Sequence, residues 1–286
     1  MSVRFAPSPT GAFHVGNFRT AWISFQWARL LRQPWVVRFE DIDTPRVVAG
    51  SQQQQLDEML QLGLKPDRVL KQSERRQRHW QLFQTALQQK MIYPCHCSRK
   101  EVLASLASAP HGKEAVYSGR CRHGTLDTPS GPSIAWRFCT PEVDGRGDFI
   151  IARTSPDGSE ASFVPAYHWA CAVDDWEEGH KLLVRAWDLA DATTVQRHLQ
   201  KWLRGNEDKP LPAVYHTALV TLNNGQRLEK RTANVTWQEL NGLGFGPSKL
   251  QKIFSESFSA HFEEFEYAKV WGEIRRSVSL DELGFT

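Results

Sequence analysis

The chain has 286 residues, of which 41% are hydrophobic and 23% charged, with a net charge of +3 at neutral pH. That length can bury a full core, in one large domain with an insertion or in about two or three modest domains, and the composition excludes disordered and fibrous classes. No apolar run approaches the ~18 consecutive residues of a membrane span, and residues 1–15 lack a basic segment followed by an apolar one, so no export signal is expected and a cytoplasmic location follows.

Ser2–Ala6 reads as a short strand closed by Pro7 and Pro9, each of which disfavours helix in the residue before it. Phe18, Ala21, Trp22, Phe25 and Ala28 then fall at helical spacing, which turns one face to a sheet and Arg19, Gln26 and Arg29 outward. Pro34 ends that segment, and Trp35–Phe39 is a second strand that delivers Glu40, Asp41 and Asp43 at its C-terminal end. Strand, helix, strand implies a right-handed crossover in a parallel sheet, hence an α/β fold. Residues 51–63 and 74–90 carry two more helical patterns. From about 91 to 160 the character changes: cysteines, glycines, prolines and the alternating run Ser133–Phe138 predict a small β-containing insertion. Helix and strand resume with Tyr167–Val173, Lys181–Val184, the helix Ala192–Leu203 and the strand Ala218–Thr221, and from 236 to the end short helices are predicted. The boundaries drawn are 1–90, first half of the nucleotide-binding domain; 91–160, insertion; 161–235, second half; and 236–286, helical subdomain.

The turn between the first strand and first helix crowds two glycines and one histidine together. Gly11 and Gly16 have P-loop spacing, but Asn17-Phe18 stands where lysine and serine or threonine are needed, and no GxGxxG follows a strand. What remains is a glycine-permitted turn that lets a polyphosphate approach N–H groups at a helix N-terminus, with His14 as a side-chain donor, or else a plain strand-to-helix loop.

Five unevenly spaced cysteines argue against a disulfide framework. Cys95, Cys97 and Cys121 supply three thiolates, and a closed tetrahedral zinc site needs a fourth ligand. Three reduced cysteines in a small core are the alternative, and Cys139 and Cys171 read as buried small hydrophobes. Arg75, Arg76, Arg78, Arg99, Lys100, Arg120 and Arg122 form a basic set near the insertion, either solvated or neutralising RNA phosphates.

Several segments together resemble one family. RFAPSPTGAFHVGNFRTA (residues 4–21) resembles the signature of the glutamate branch of class I aminoacyl-tRNA synthetases, with His14-Val15-Gly16-Asn17 in the place of the HIGH motif; VRFEDIDTPR (37–46), Tyr167, VDD (173–175) and VRAWDL (184–189) match the same branch. The chain stops at Thr286, without the large anticodon-binding region of full glutamyl-tRNA synthetases, and CHC (95–97) followed by YSGRC (117–121) is similar to the glutamyl-Q tRNA(Asp) synthetases. Two departures stand out: Arg227-Leu228-Glu229-Lys230-Arg231 replaces a KLSK-like loop, keeping only the second lysine as Lys230, and Ala186-Trp187 replaces a smaller pair, bringing Trp187 near the nucleotide.

The resemblance implies a class I synthetase Rossmann-like parallel sheet with a small zinc-containing insertion and a C-terminal helical segment. It implies activation of glutamate with ATP as glutamyl-adenylate and transfer to queuosine at the wobble position of tRNA(Asp); a truncated glutamyl-tRNA synthetase and an inactive RNA-binding paralogue are the alternatives. His14 and Lys230 are the expected catalytic residues; Gly16 and Asn17 join them at ATP, with Mg²⁺ on the phosphates. Arg4, Phe5, Ala6, Pro7, Ser8, Glu40, Tyr167 and Arg185 are expected to line the glutamate site, with Glu40 on the α-ammonium; Asp188 contacts substrate or braces a loop. Asp41 and Asp43 are read as turn or cap residues. For structural Zn²⁺ the resemblance adds Tyr117 to Cys95, Cys97 and Cys121, with His123 as the competing fourth ligand. No membrane is involved and a monomer is expected.

Overall fold

A parallel sheet needs strands apolar on both faces, and the short runs VRF, WVVRF and LLVRA meet that need with every residue but the last buried. The computed structural model describes residues 1–98, 100–102, 117, 119–122, 133–140, 147–226, 235–258, 262–265, 270–273 and 275–285. In chain order the strands are β1 (Val3–Phe5), β2 (Trp35–Phe39), β3 (Arg68–Lys71), β4 (Ile92–Cys95), β5 (Ile134–Phe138), β6 (Phe149–Thr154), β7 (Val164–Pro165), β8 (Leu182–Ala186), β9 (Ala213–Thr217), β10 (Leu219–Thr221), β11 (Phe262–Phe265), β12 (Val270–Glu273) and β13 (Ser277–Ser279). The helices are α1 (Val15–Leu30), α2 (Ser51–Gln61), α3 (Arg76–Gln88), α4 (Tyr167–Glu177), α5 (Ala190–Arg204), α6 (Trp237–Gly242) and α7 (Pro247–Ser257). Among the described residues no helix is long and apolar enough to cross a membrane.

The chain divides into two units, residues 1–73, 174–194 and 204–286 forming the first, and 74–173 and 195–203 the second. In the first, a seven-stranded sheet runs β11-β12-β9-β8-β1-β2-β3, parallel except for the β11–β12 pair. The chain moves from β1 to β2 on one side and later to β8 on the other, so strand order reverses beside β1 and opens a crevice at the C-terminal ends, where ligands of open α/β sheets bind. Phe18, Ala21 and Ala28 of α1 are buried in the core with Val3, Trp35 and Val37. The indole of Trp35, fully buried, donates to Ser24 Oγ at 3.0 Å.

Two features of this unit differ from the sequence expectation. Beyond Ser257 the chain forms strands instead of further short helices, and β12 pairs in parallel with β9. As a result Arg19, expected outward, is buried: its guanidinium meets Glu273 at 2.6 and 2.7 Å and Ser257 Oγ at 3.0 Å.

The second unit is built on an antiparallel sheet β4-β5-β6-β7, in which the alternating run 133–138 supplies β5. One face packs Phe138 and Ile151 with Phe83, Phe163 and Trp169; the other carries a small cluster of Tyr93, Cys95, Tyr117 and Ala135.

Candidate active site and metal centre

The loop that leaves β1 ends on His14, which is the N-cap of the 16-residue helix α1. Its Nδ1 accepts the Gly16 N–H at 3.1 Å, while Asn17 Oδ1 accepts the His14 N–H at 3.2 Å, a reciprocal capping box. With Nδ1 accepting, the neutral ring carries its proton on Nε2, a donor at the positive end of the helix dipole. Glycine is required at 16 by this fold-back: a Cβ there would stand 2.9 Å from His14 Cε1. Gly11, at φ +122°, lies where only glycine is comfortable, and its carbonyl accepts from Gln55 Nε2 at 2.6 Å. Asn17 thus has a capping role as well as its expected place beside ATP.

Val15 N–H donates to Val235 O at 3.0 Å, and His14 bridges Thr236. The chain therefore returns to the N-terminus of α1 directly after residues 227–234. Lys230 and Glu229 lie outside the described residues.

Arg4 of β1, Arg38 of β2 and Arg185 of β8 converge on one carboxylate. Asp175, fully buried, accepts Arg4 Nε at 3.0 Å and Nη2 at 2.5 Å, Arg38 Nη2 at 2.8 Å and Arg185 Nη2 at 3.2 Å. Burial opposes the charge on Asp175, but the three guanidiniums outweigh it and hold the carboxyl well below the usual carboxylate range. Arg38 also meets Glu178 at 3.0 Å and Glu40 at 3.4 Å, and the Glu40 N–H donates to Pro7 O at 2.9 Å. Arg4, Pro7, Glu40 and Arg185, all expected at the glutamate site, are thereby drawn together through Asp175 and Arg38, two residues the sequence reading did not single out. Adjacent parallel strands put Arg4 opposite Val36 and Leu183, so only the side chains that converge on Asp175 reveal the grouping. Phe5 is buried and Ala6 is half-buried; Ser8 is exposed, its carbonyl accepting from Gln55 at 3.2 Å.

Tyr167 belongs to the second unit, 39% exposed at the start of α4 with its ring 5.4 Å from that of His168. Asp188 is exposed on the short turn after β8. Trp187 stacks on His216 with centroids 5.1 Å apart, donates to Glu273 O at 3.2 Å, and lies so close to Gly272 that a Cβ there would stand 2.6 Å from its ring. Asp41 accepts the Ser73 N–H and Oγ–H, each at 2.8 Å, a contact between residues 32 apart in sequence, and Asp43, at the N-cap position of the short turn Thr44–Arg46, makes no side-chain cap bond and faces Arg46 at 3.6 Å. Of the basic set, Arg76 ties down the carbonyls of Ala161 and Phe163 at 2.8 Å, and Arg122 holds Thr140 O at 3.1 Å. Arg120, exposed, faces Glu101 at 3.6 Å; Arg99 lies outside the described residues.

In the second unit the Sγ atoms of Cys95, Cys97 and Cys121 all lie within 4.8 Å of one another, an arrangement that could hold a metal ion. Cys97 and Cys121 are 3.5 Å apart, and the Tyr117 hydroxyl is 3.5 Å from Cys95 Sγ and 3.7 Å from Cys97 Sγ. Tetrahedral zinc with ordinary bond lengths sets S···S near ~3.8 Å and S···O near ~3.5 Å, so the Cys97–Cys121, Cys95–Tyr117 and Cys97–Tyr117 separations stand close to the required spacing. Burial pushes the Cys97 thiol up to about 11; for Cys121 burial is outweighed by the Tyr117 and main-chain hydrogen bonds, and the thiol falls to about 7. Metal binding here displaces protons. His123 lies outside the described residues.

Comparison with known proteins gives a consistent result. A family model described as class I tRNA synthetases (E and Q), catalytic domain, matches residues 1–130. The glutamyl-Q tRNA(Asp) synthetase of Deinococcus radiodurans is 35% identical, the match covering 95% of this chain and 96% of that protein; that of Nocardia farcinica is 34% identical over 89% and 83%. Among solved structures, the glutamate-tRNA synthetase of Elizabethkingia anophelis superposes with a TM-score of 0.65 at 21% identity, covering all of this chain and 65% of that protein's length.

Proposed function

We propose, because the chain belongs to the glutamyl-Q tRNA(Asp) synthetases, that it activates glutamate with ATP as glutamyl-adenylate and transfers the glutamyl group to queuosine at the wobble position of tRNA(Asp). It is a ligase of the class I tRNA synthetase family. The observation that carries the reading is the position of His14: its Nδ1 accepts the Gly16 N–H, which fixes the ring at the N-terminus of a long helix beside the strand-order reversal.

In this reading a carboxylate oxygen of glutamate attacks the α-phosphorus of ATP, the bond to the β-bridging oxygen breaks, and pyrophosphate leaves. No enzymic nucleophile is needed; the residues bind, orient and stabilise charge. His14 meets phosphate oxygens at the positive end of α1, with Gly16 and Asn17 assigned beside it; the N–H groups of Val15, Gly16 and Asn17 are themselves committed to Val235 O, His14 Nδ1 and His14 O. Lys230, outside the described residues, is assigned to the same phosphates by the family resemblance. Mg²⁺, when bound, adds positive charge among the phosphate oxygens. Arg4 commits Nε and Nη2 to Asp175, so Nη1 remains to face a substrate carboxylate, and Arg185 presents the second guanidinium. Glu40 takes the α-ammonium, and Phe5 to Ser8 and Asp188 line the same site; Tyr167 is assigned to glutamate by the family resemblance alone. The cluster of Cys95, Cys97, Tyr117 and Cys121 is assigned to a structural Zn²⁺. The protein is read as a cytoplasmic monomer.

Pyrophosphate exchange with glutamate and ATP, without tRNA, tests activation; exchange no higher than background overturns the enzymatic reading and leaves an RNA-binding paralogue. Transfer to tRNA(Asp) with and without queuosine tests the acceptor. Loss of transfer only with queuosine-free tRNA supports base modification, whereas loss only after periodate oxidation of the 3′ end points to a truncated glutamyl-tRNA synthetase.

A further inference from the structure

Strand β5 alternates Trp136 and Phe138 toward one core with Ala135 and Arg137 on the opposite face, where Arg137 pairs in register with Tyr93 and Ala135 with Cys95. Arg137 is only 6% exposed. Its Nη1 donates to the main-chain oxygen of Asp148 at 2.7 Å, its Nε is buried with no acceptor, and its Cζ lies 3.6 Å from the centroid of the Tyr117 ring. The Asp148 carboxylate does not serve it: that group takes the Tyr93 hydroxyl at 2.6 Å, the Thr140 N–H at 2.8 Å and Arg122 at 3.5 Å. Among the described residues Arg137 forms no ion pair, and a buried cation without a counter-charge is costly.

The missing negative charge is next door. Three thiolates around a divalent ion leave at least one negative charge in excess, and more if the tyrosine oxygen is ionised. We propose that Arg137 is the counter-charge of the metal centre: stacked on the Tyr117 ring, it offsets the excess negative charge of the loaded Cys95, Cys97, Tyr117 and Cys121 set and orients the aromatic ligand, so metal affinity depends on a positioning residue that touches no metal. The proposal rests on the reading of those four residues as metal ligands. It also gives a reason for a guanidinium in that strand: a planar cation can lie flat on a ring while its edge donates to a main-chain oxygen, which an ammonium does less well.

The test uses the full chain and Zn²⁺ itself, with Arg137→Met removing the charge at similar length and Arg137→Lys keeping it. Zinc affinity is measured by competition with a chromophoric chelator, ligand geometry by the visible spectrum of the Co²⁺-loaded protein, and melting temperature with and without EDTA. Expected are an affinity for Arg137→Met lower by about tenfold or more, an intermediate value for Arg137→Lys, and an altered Co²⁺ spectrum. Metal-free Arg137→Met is expected to melt no lower than the metal-free wild type, because the uncompensated cation is gone, while zinc raises its melting temperature less. Zinc affinity of Arg137→Met within about twofold of wild type overturns the proposal. So does an equal drop in melting temperature with and without metal, the mark of a packing role alone. A wild-type protein that binds no zinc removes the metal reading itself, and the proposal with it.

Discussion

Replacing His14 with asparagine separates the two tasks of its side chain. Asparagine is a strong N-cap, so His14→Asn is expected to hold thermal stability within about 0.5 kcal/mol, whereas His14→Ala costs about 1 kcal/mol by losing the cap. Both remove the Nε2–H donor and are expected to slow glutamate-dependent pyrophosphate exchange by about 10²-fold or more. An asparagine variant with full exchange activity removes His14 from the chemistry. Asp175 works differently, since it touches three buried guanidiniums. Asp175→Asn leaves them uncompensated and is expected to cost about 3–5 kcal/mol in urea denaturation. Because the carboxyl titrates below its ordinary value, its contribution is present at neutral pH and lost only as pH falls through and below the ordinary carboxylate range. His180 sets the nearer limit. Burial lowers its pKa from 6.5, although Glu178 at 2.6 Å and Asp175 pull the other way; Ser2 at 2.7 Å and Arg38 complete its surroundings. As pH falls below 6.5 the unfolded chain binds a proton that the folded chain still refuses, so stability declines in that window. Urea midpoints at about pH 7.5 and 5.5 should show the decline, and His180→Gln should flatten it.

At the scale of elements, α1 is held from two directions. Its N-terminus joins the chain at Val235, and its buried face meets the end of β12 through Arg19 and Glu273, a pair 254 residues apart in sequence. Glu273 also accepts the Ala218 N–H at 2.6 Å, so the ion pair links helix, C-terminal strand and the start of β10. Removing one partner strands a buried charge: Arg19→Met is expected to cost about 3–5 kcal/mol, and the Arg19→Met, Glu273→Leu double variant to recover a large part of it. A double variant no more stable than the single would show that the hydrogen bonds to Ser257 and Ala218, not the charge, matter most. This pair also marks where sequence reasoning stops. Helical spacing puts Phe18, Ala21 and Ala28 correctly inside, and the strand–helix–strand order correctly implies a parallel sheet. The same spacing sends Arg19 outward, because nothing local announces a partner that arrives from the last tenth of the chain. Strand β3 escapes for a related reason: RVLK has polar ends and lies exposed at the sheet edge, with no buried face to leave a pattern.

At the scale of the molecule, His14, Arg4, Glu40 and Arg185 fall in the first unit, and Cys95, Cys97, Tyr117 and Cys121, together with Tyr167, in the second. The cysteines offer three thiolates by themselves, whereas Tyr117 enters the sequence reading only through the family resemblance, with His123 beside it, since a tyrosine carries no metal signature of its own; its hydroxyl stands 3.5 and 3.7 Å from Cys95 and Cys97 Sγ. The cluster joins three separate stretches of chain, at 95–97, 117 and 121, and exposed Lys100 and Arg120 lie within the span it closes. If those side chains contribute phosphate contacts, removing the ion loosens the surface that carries them while the strands of the first unit remain intact. Metal-stripped protein is therefore expected to retain glutamate-dependent pyrophosphate exchange and to lose transfer to tRNA, with the deficit largest at low salt and narrowing as salt rises, because the phosphate contacts that only the metal-loaded protein makes are themselves screened away. Exchange and transfer measured side by side, before and after chelation and after zinc is returned, distinguish this from a general loss of fold: loss of both activities in parallel would mean that the ion supports the whole molecule, and unchanged transfer would mean that the 95–121 segment is not part of the tRNA surface.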